Sequence, residues 1–152
     1  MFENTAFETI PDGVFDKVHY SSAIGIFSKC SMLTTLPLKL REETGDLPIT
    51  TLDLSGLFYN CSNLTGLIPV TLFDNLKPYI TKLGYGKAGN SGDDNRLLSF
   101  YLGAFANTNI TGYEIAPKEN SMDTISPFYN MTSLQSIDYL FASGVIDGDT
   151  TS

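Results

Sequence analysis

The chain has 152 residues, 42% hydrophobic and 17% charged, enough for one domain with a substantial core and too apolar for a disordered one. Its 17 acidic and 9 basic residues give a formal charge of −8, which excludes a mechanism built on neutralising phosphates and disfavours an anionic membrane surface. No apolar run reaches the ~20 residues of a bilayer span, and MFENTAFETIPDG has neither the basic nor the apolar region of a signal peptide, so either export by that route is not expected or the chain is a piece of a longer one.

Taken in chain order, one pattern recurs: an aromatic residue, a small or thiol residue three positions on, then two aliphatic residues about three apart. Phe2, Thr5, Phe7 and Ile10, followed by Pro11, make a shortened first copy. IFSKCSMLTTLP supplies Phe27, Cys30, Leu33, Leu36 and Pro37, and GLFYNCSNLTGLIP supplies Phe58, Cys61, Leu64, Leu67 and Pro69. AFANTNITGY repeats it as Phe105, Thr108, Ile110 and Tyr113, and FYNMTSLQSI as Phe128, Met131, Leu134 and Ile137; a further copy begins at Phe141. A second register, IPDGVFDKV at 10–18 and IPVTLFDNL at 68–76, follows the motif at equivalent offsets. Between the Phe58 and Phe105 copies lies a degenerate unit whose Gly, Asn, Asp and Ser content predicts a loop insertion over 84–96.

Repeats of about 20 to 30 residues predict a solenoid in which each turn buries its apolar face against the next. The fold class expected is therefore α/β or mainly β: a single leucine-rich-repeat solenoid over 1–152, with one short parallel strand per turn and five to six irregular repeats. Phe27, Phe58, Phe105 and Phe128 are expected to form an aromatic ladder beneath the strands. A solenoid needs polar caps at both ends. With repeats beginning at Phe2 and restarting at Phe141, the reading predicts end-on packing with another chain or domain, or excision from a longer protein.

The unit F-x-N-C-x-x-L-T-x-L-x-P, best represented by LDLSGLFYNCSNLTGL at 52–67, resembles the BspA-like leucine-rich repeat of bacterial surface proteins and gut-phage proteins. The spacing is uneven, and Thr or Met replaces Cys in three copies. What the resemblance implies is a binding or adhesion scaffold, usually one part of a longer protein.

Most chemical candidates reduce to architecture. Cys30 and Cys61 share one repeat position with Thr5, Thr108 and Met131, which favours buried thiols over a disulfide or a metal pair. Asn4, Asn60, Asn107 and Asn130 are expected to cap turns, and the sequons at Asn60, Asn63, Asn109 and Asn130 arise from the same consensus. The G-x-G-x-x-G at 84–89 runs on into NSGDDNR without opening a helix, and neither Asp93–Asp94 nor IDGDTT has calcium-loop spacing. His19, the sole histidine, has no triad context, so no catalytic residue, cofactor or metal is expected. What remains is displayed surface: Thr34, Thr35, Thr65, Thr111, Gln135 and Ser136 between the aliphatic positions, with Tyr59 and Tyr129 beside their phenylalanines. The same Thr residues also suit an inert strand surface. The function expected is a non-enzymatic module binding a protein or glycan on a cell surface, with a structural part of a gut-phage virion as the alternative and a carbohydrate-active enzyme as the weakest reading.

Overall fold

A computed structural model of the protein describes residues 5–16, 23–84, 86–87, 98–101, 103–137, 140 and 145–147. Local structure is set by tight turns around the phenylalanines. Ile26 N–H bonds Ala23 O and Ser28 N–H bonds Gly25 O, while Leu57 N–H bonds Leu54 O and Tyr59 N–H bonds Gly56 O. These turns pass through left-handed backbone two residues before the ring, at Gly25 (φ 63°) and Gly56 (φ 65°). They do so again two residues after it, at Lys29, Asn60, Asn107 and Asn130. Asn tolerates that region better than other side chains with a Cβ, which explains the recurring F-x-N. Asn75, two residues after Phe73, has φ 67°, so the F-D-N of the second register makes the same turn.

Neighbouring turns are joined by backbone hydrogen bonds. Phe27 N–H donates to Leu57 O (3.1 Å) and Lys29 N–H to Tyr59 O (2.7 Å). Phe58 N–H donates to Ala104 O (2.7 Å) and Asn60 N–H to Ala106 O (3.0 Å). This registry lays the rings of Phe15, Phe27, Phe58 and Phe105 on one another, with successive centroids 6.1, 5.7 and 5.6 Å apart and interplanar angles of 12°, 10° and 27°. Leu33, Leu40, Leu52, Leu54, Leu57, Leu64, Leu72, Leu76, Ile80 and Leu83 complete a fully buried core around the stack.

Among the described residues there are ten short strands: β1 Leu52–Asp53, β2 Thr65–Ile68, β3 Ile80–Gly84, β4 Gly86–Lys87, β5 Leu98–Tyr101, β6 Asn109–Tyr113, β7 Ala116–Pro117, β8 Thr124–Ile125, β9 Ser136–Ile137 and β10 Val145–Asp147. They form four small sheets, β1-β3-β9 and β2-β6 parallel, β10-β5-β4 and β7-β8 antiparallel.

This arrangement corrects the expected fold class. The protein is mainly β, but it is not a leucine-rich-repeat solenoid. No helix occurs among the described residues, and the strands fall into separate small sheets, two of them antiparallel. The expected strand per turn is missing at Leu33–Leu36, which has no regular structure. Uneven intervals between copies are the physical reason: every parallel pairing carries a register shift, at Leu52/Asp53, Gly66/Leu67 and Lys82/Gly84. The fourth ring expected in the ladder also leaves it. Phe128 packs 6.1 Å from Phe73 and edge-on to Tyr113 at 5.5 Å, while Phe15 takes a place that the motif did not assign. The loop expected over 84–96 is described only at Gly84 and at the β4 backbone. The 84–89 glycine motif otherwise lies outside the described residues, as do His19, Asp93, Asp94, Phe2, Asn4 and Phe141.

A buried arginine ties a further pair of loops. The Arg41 guanidinium, 4% exposed, donates through Nη1 to Asn75 O (2.8 Å) and Gly45 O (3.1 Å). Asn75 Nδ2 answers by donating to Arg41 O (3.1 Å). Asp16 Oδ1 accepts from the N–H groups of Glu42 (2.8 Å) and Glu43 (3.0 Å), holding the 41–43 segment from its other side.

If the ring stack organises the core, removing its central member leaves a cavity between two rings. Phe58→Ala is expected to lower the unfolding free energy by about 3–5 kcal/mol in urea denaturation, more than an exposed substitution such as Tyr129→Ala.

Candidate binding surface

The hydroxyl-bearing candidates begin on one line of backbone. Thr34 N–H donates to Glu8 O (3.3 Å) and Thr65 N–H to Thr34 O (3.1 Å). Next to Thr65, β2 pairs in parallel with β6, setting Thr65 opposite Asn109 and Leu67 opposite Gly112. Thr34, Thr35, Thr65 and Thr111 are all exposed, and so is Leu67, at 48%. Two of the hydroxyls are already engaged: Thr65 Oγ1 donates to Thr34 O and Thr111 Oγ1 to Gly66 O, both at 3.3 Å. These side chains therefore hold neighbouring segments together while remaining exposed, and each hydroxyl oxygen keeps its acceptor capacity.

Gln135 and Ser136 do not join this line. Gln135 N–H donates to Thr81 O (2.7 Å), and Ser136 pairs with Lys82 in the β1-β3-β9 sheet. The two tyrosines also separate. Tyr59 is half-buried, and burial raises its phenol above the ordinary value. Tyr129 is 42% exposed, with the Lys118 ammonium 5.4 Å and the Lys77 ammonium 6.0 Å from its ring centre. Lys77 also lies 3.9 Å from Asp74. Tyr113, 46% exposed, leans edge-on against Phe128, so Phe73, Phe128 and Tyr113 form a second aromatic cluster, with Tyr129 and its two cations next in the chain after Phe128. Tyr113 and Phe73 belong to the two repeated registers without being assigned to a surface, and Lys77 and Lys118 belong to no motif. The available signal was F-D-N at 73–75, which repeats F-x-N within the second register.

The asparagine amides reach across to neighbouring segments. Asn63 Nδ2 donates to Ser31 O (2.7 Å) and Asn109 Nδ2 to Ser62 O (2.8 Å), while Asn107 Nδ2 donates to Asn60 Oδ1. The sequon nitrogens of Asn63 and Asn109 are thus engaged in holding segments together.

Neither cysteine is in a disulfide, and both are fully buried. Cys61 Sγ donates to Phe27 O (3.0 Å), and Cys30 Sγ lies 3.5 Å from Thr5 Oγ1. Burial pushes the Cys61 thiol up to about 12, with the adjacent Cys30 thiol adding to the rise and the Cys30 backbone opposing it. The described residues contain no cluster of three or more His, Cys, Asp or Glu able to hold a metal, and no helix long and apolar enough to cross a membrane. Beside the Phe27 ring lies an apolar cavity of about 230 Å³, lined by Phe7, Thr9, Ile10, Pro11, Val14 and Phe27.

No family model matches the chain, and no curated protein or solved structure matches it. The resemblance to BspA-like repeats therefore rests on the sequence motifs alone.

The raised Cys61 thiol makes stability depend on pH in a definite direction. Below the ordinary thiol value of about 8.5 both the native and unfolded chains hold the proton, so the contribution is fully present. Above it the unfolded chain releases the proton while the native one keeps it, and stability is lost as pH rises toward about 12. Urea midpoints measured from about pH 8 to about pH 10.5 are expected to fall more steeply for the parent chain than for Cys61→Ala.

Proposed function

We propose that the chain is a non-enzymatic binding module that recognises a protein or glycan on a cell surface, acting at that surface or outside the cell. The observation that carries this reading is the exposed line of Thr34, Thr65, Leu67 and Thr111, which sets small polar and apolar groups side by side on a backbone fixed from beneath by stacked rings. A shallow surface of this kind contributes affinity through shape and hydrogen bonding, multiplied when several copies act together. The net charge of −8 supports a partner other than nucleic acid.

The alternative, a structural component of a bacteriophage virion, draws support from a different observation. Ile24, Met32, Leu38, Ile115 and Met122 are large apolar side chains left exposed, Met122 at 99%. Exposed apolar groups suit assembly contacts.

One experiment separates the two. Labelled chain is applied to a glycan array and to bacterial and animal cells, beside Thr65→Arg and Leu67→Glu variants whose circular dichroism matches the parent. The binding-module reading expects a monomer by light scattering, saturable binding, and a loss of about tenfold or more in both variants. Equal binding by the variants contradicts the assigned surface. A defined oligomer that binds neither glycan nor cell moves the assignment to the virion component.

A further inference from the structure

We propose that Cys30 and Cys61 are a modification site, closing into an intramolecular disulfide that staples two neighbouring turns when the chain meets a thiol oxidant such as glutathione disulfide. The inference stands apart from the binding reading and rests on where the fold places two thiols. Each cysteine lies three residues after a phenylalanine, and those two phenylalanines stack 5.7 Å apart. The backbones leading to the cysteines are bonded directly, Phe27 N–H to Leu57 O at 3.1 Å and Lys29 N–H to Tyr59 O at 2.7 Å. Neighbouring backbones joined by such N–H···O=C bonds run about 4.8 Å apart, within the roughly 4.4–6.8 Å between Cα atoms that a disulfide spans. Cys61 Sγ is held over the neighbouring turn by its 3.0 Å bond to Phe27 O, which puts its sulfur on the side where Cys30 lies.

The equivalent positions carry Thr5, Thr108 and Met131, and the sequence contains no third cysteine, so each thiol has one intramolecular partner. The chemistry balances as two exchanges. One cysteine thiolate attacks a sulfur of glutathione disulfide, forming a mixed disulfide and expelling one glutathione thiolate. The other cysteine thiolate attacks the protein sulfur of that mixed disulfide and expels the second glutathione. The two expelled thiolates take up the two protons that the cysteines gave up. The protein is oxidised by two electrons, and glutathione disulfide is reduced to two glutathione molecules.

Complete burial and a raised thiol set the timing. Attack requires the thiolate and an approach path, and the folded chain supplies neither without local opening. Closure therefore belongs to the period before the turns have packed, and in the folded protein it waits on opening.

The test is to refold the chain from urea in a mixture of glutathione and glutathione disulfide, quench with acid, and record the intact mass and a non-reducing peptide map. The expected product is a monomer lighter by two hydrogens, with one cross-linked peptide joining Cys30 to Cys61. Cys30→Ser and Cys61→Ser, treated identically, are expected to stop at the glutathione adduct. A parent chain that keeps both thiols, carries only glutathione adducts, or links only between molecules overturns the proposal.

Discussion

Ring-on-ring contact between phenylalanines of neighbouring turns is the interaction on which the other features depend. Phe15, Phe27, Phe58 and Phe105 are each essentially removed from water, and their centroid separations lie inside the range where aromatic pairs attract beyond simple area burial. Such a stack forms only if each turn delivers its ring at the same height and angle. That requirement fixes the chain on both sides of the ring: left-handed backbone before it at Gly25 and Gly56, and after it at Lys29, Asn60 and Asn107. The hydrogen bonds between turns then satisfy polar groups that ring burial would otherwise strand away from solvent.

From this core the surface follows. Because Thr65 and Thr111 spend their hydroxyl protons on carbonyls of the adjacent segment, the outward line is held with little freedom. A partner meeting it has less ordering to impose, which favours recognition by a shallow face. The Arg41–Asn75 exchange of hydrogen bonds gives the 41–45 loop a similar fixity with carbonyls, and no carboxylate, as partners.

The sequence carried the local rules better than the global one. F-x-N and the shared position of Cys30 and Cys61 are readable from residue type and spacing, whereas spacing left α/β and mainly β content both open. The solenoid expected from the repeats does not form, because repeat spacing says which segments are alike and not whether equal strands can line up. Leu33–Leu36 has the right residues and forms no strand. Phe128 has the right motif and packs on Phe73. Of the surface candidates, the threonines gathered because they flank stacked turns, whereas Gln135 and Ser136 followed their copy onto another sheet. The Tyr129 cluster stayed hidden because Lys77 and Lys118 reach it from segments with no repeat relation to it.

Native-state hydrogen exchange, followed amide by amide in low urea, tests the central role of the ring stack most directly. If the stack holds the molecule together, the N–H groups of Phe27, Lys29, Phe58, Asn60 and Ala104 exchange last, only through global unfolding, while those around the β7-β8 hairpin exchange by local opening. Exchange of the Phe27 and Phe58 amides as fast as those of the hairpin, well below the global unfolding free energy, would contradict the account.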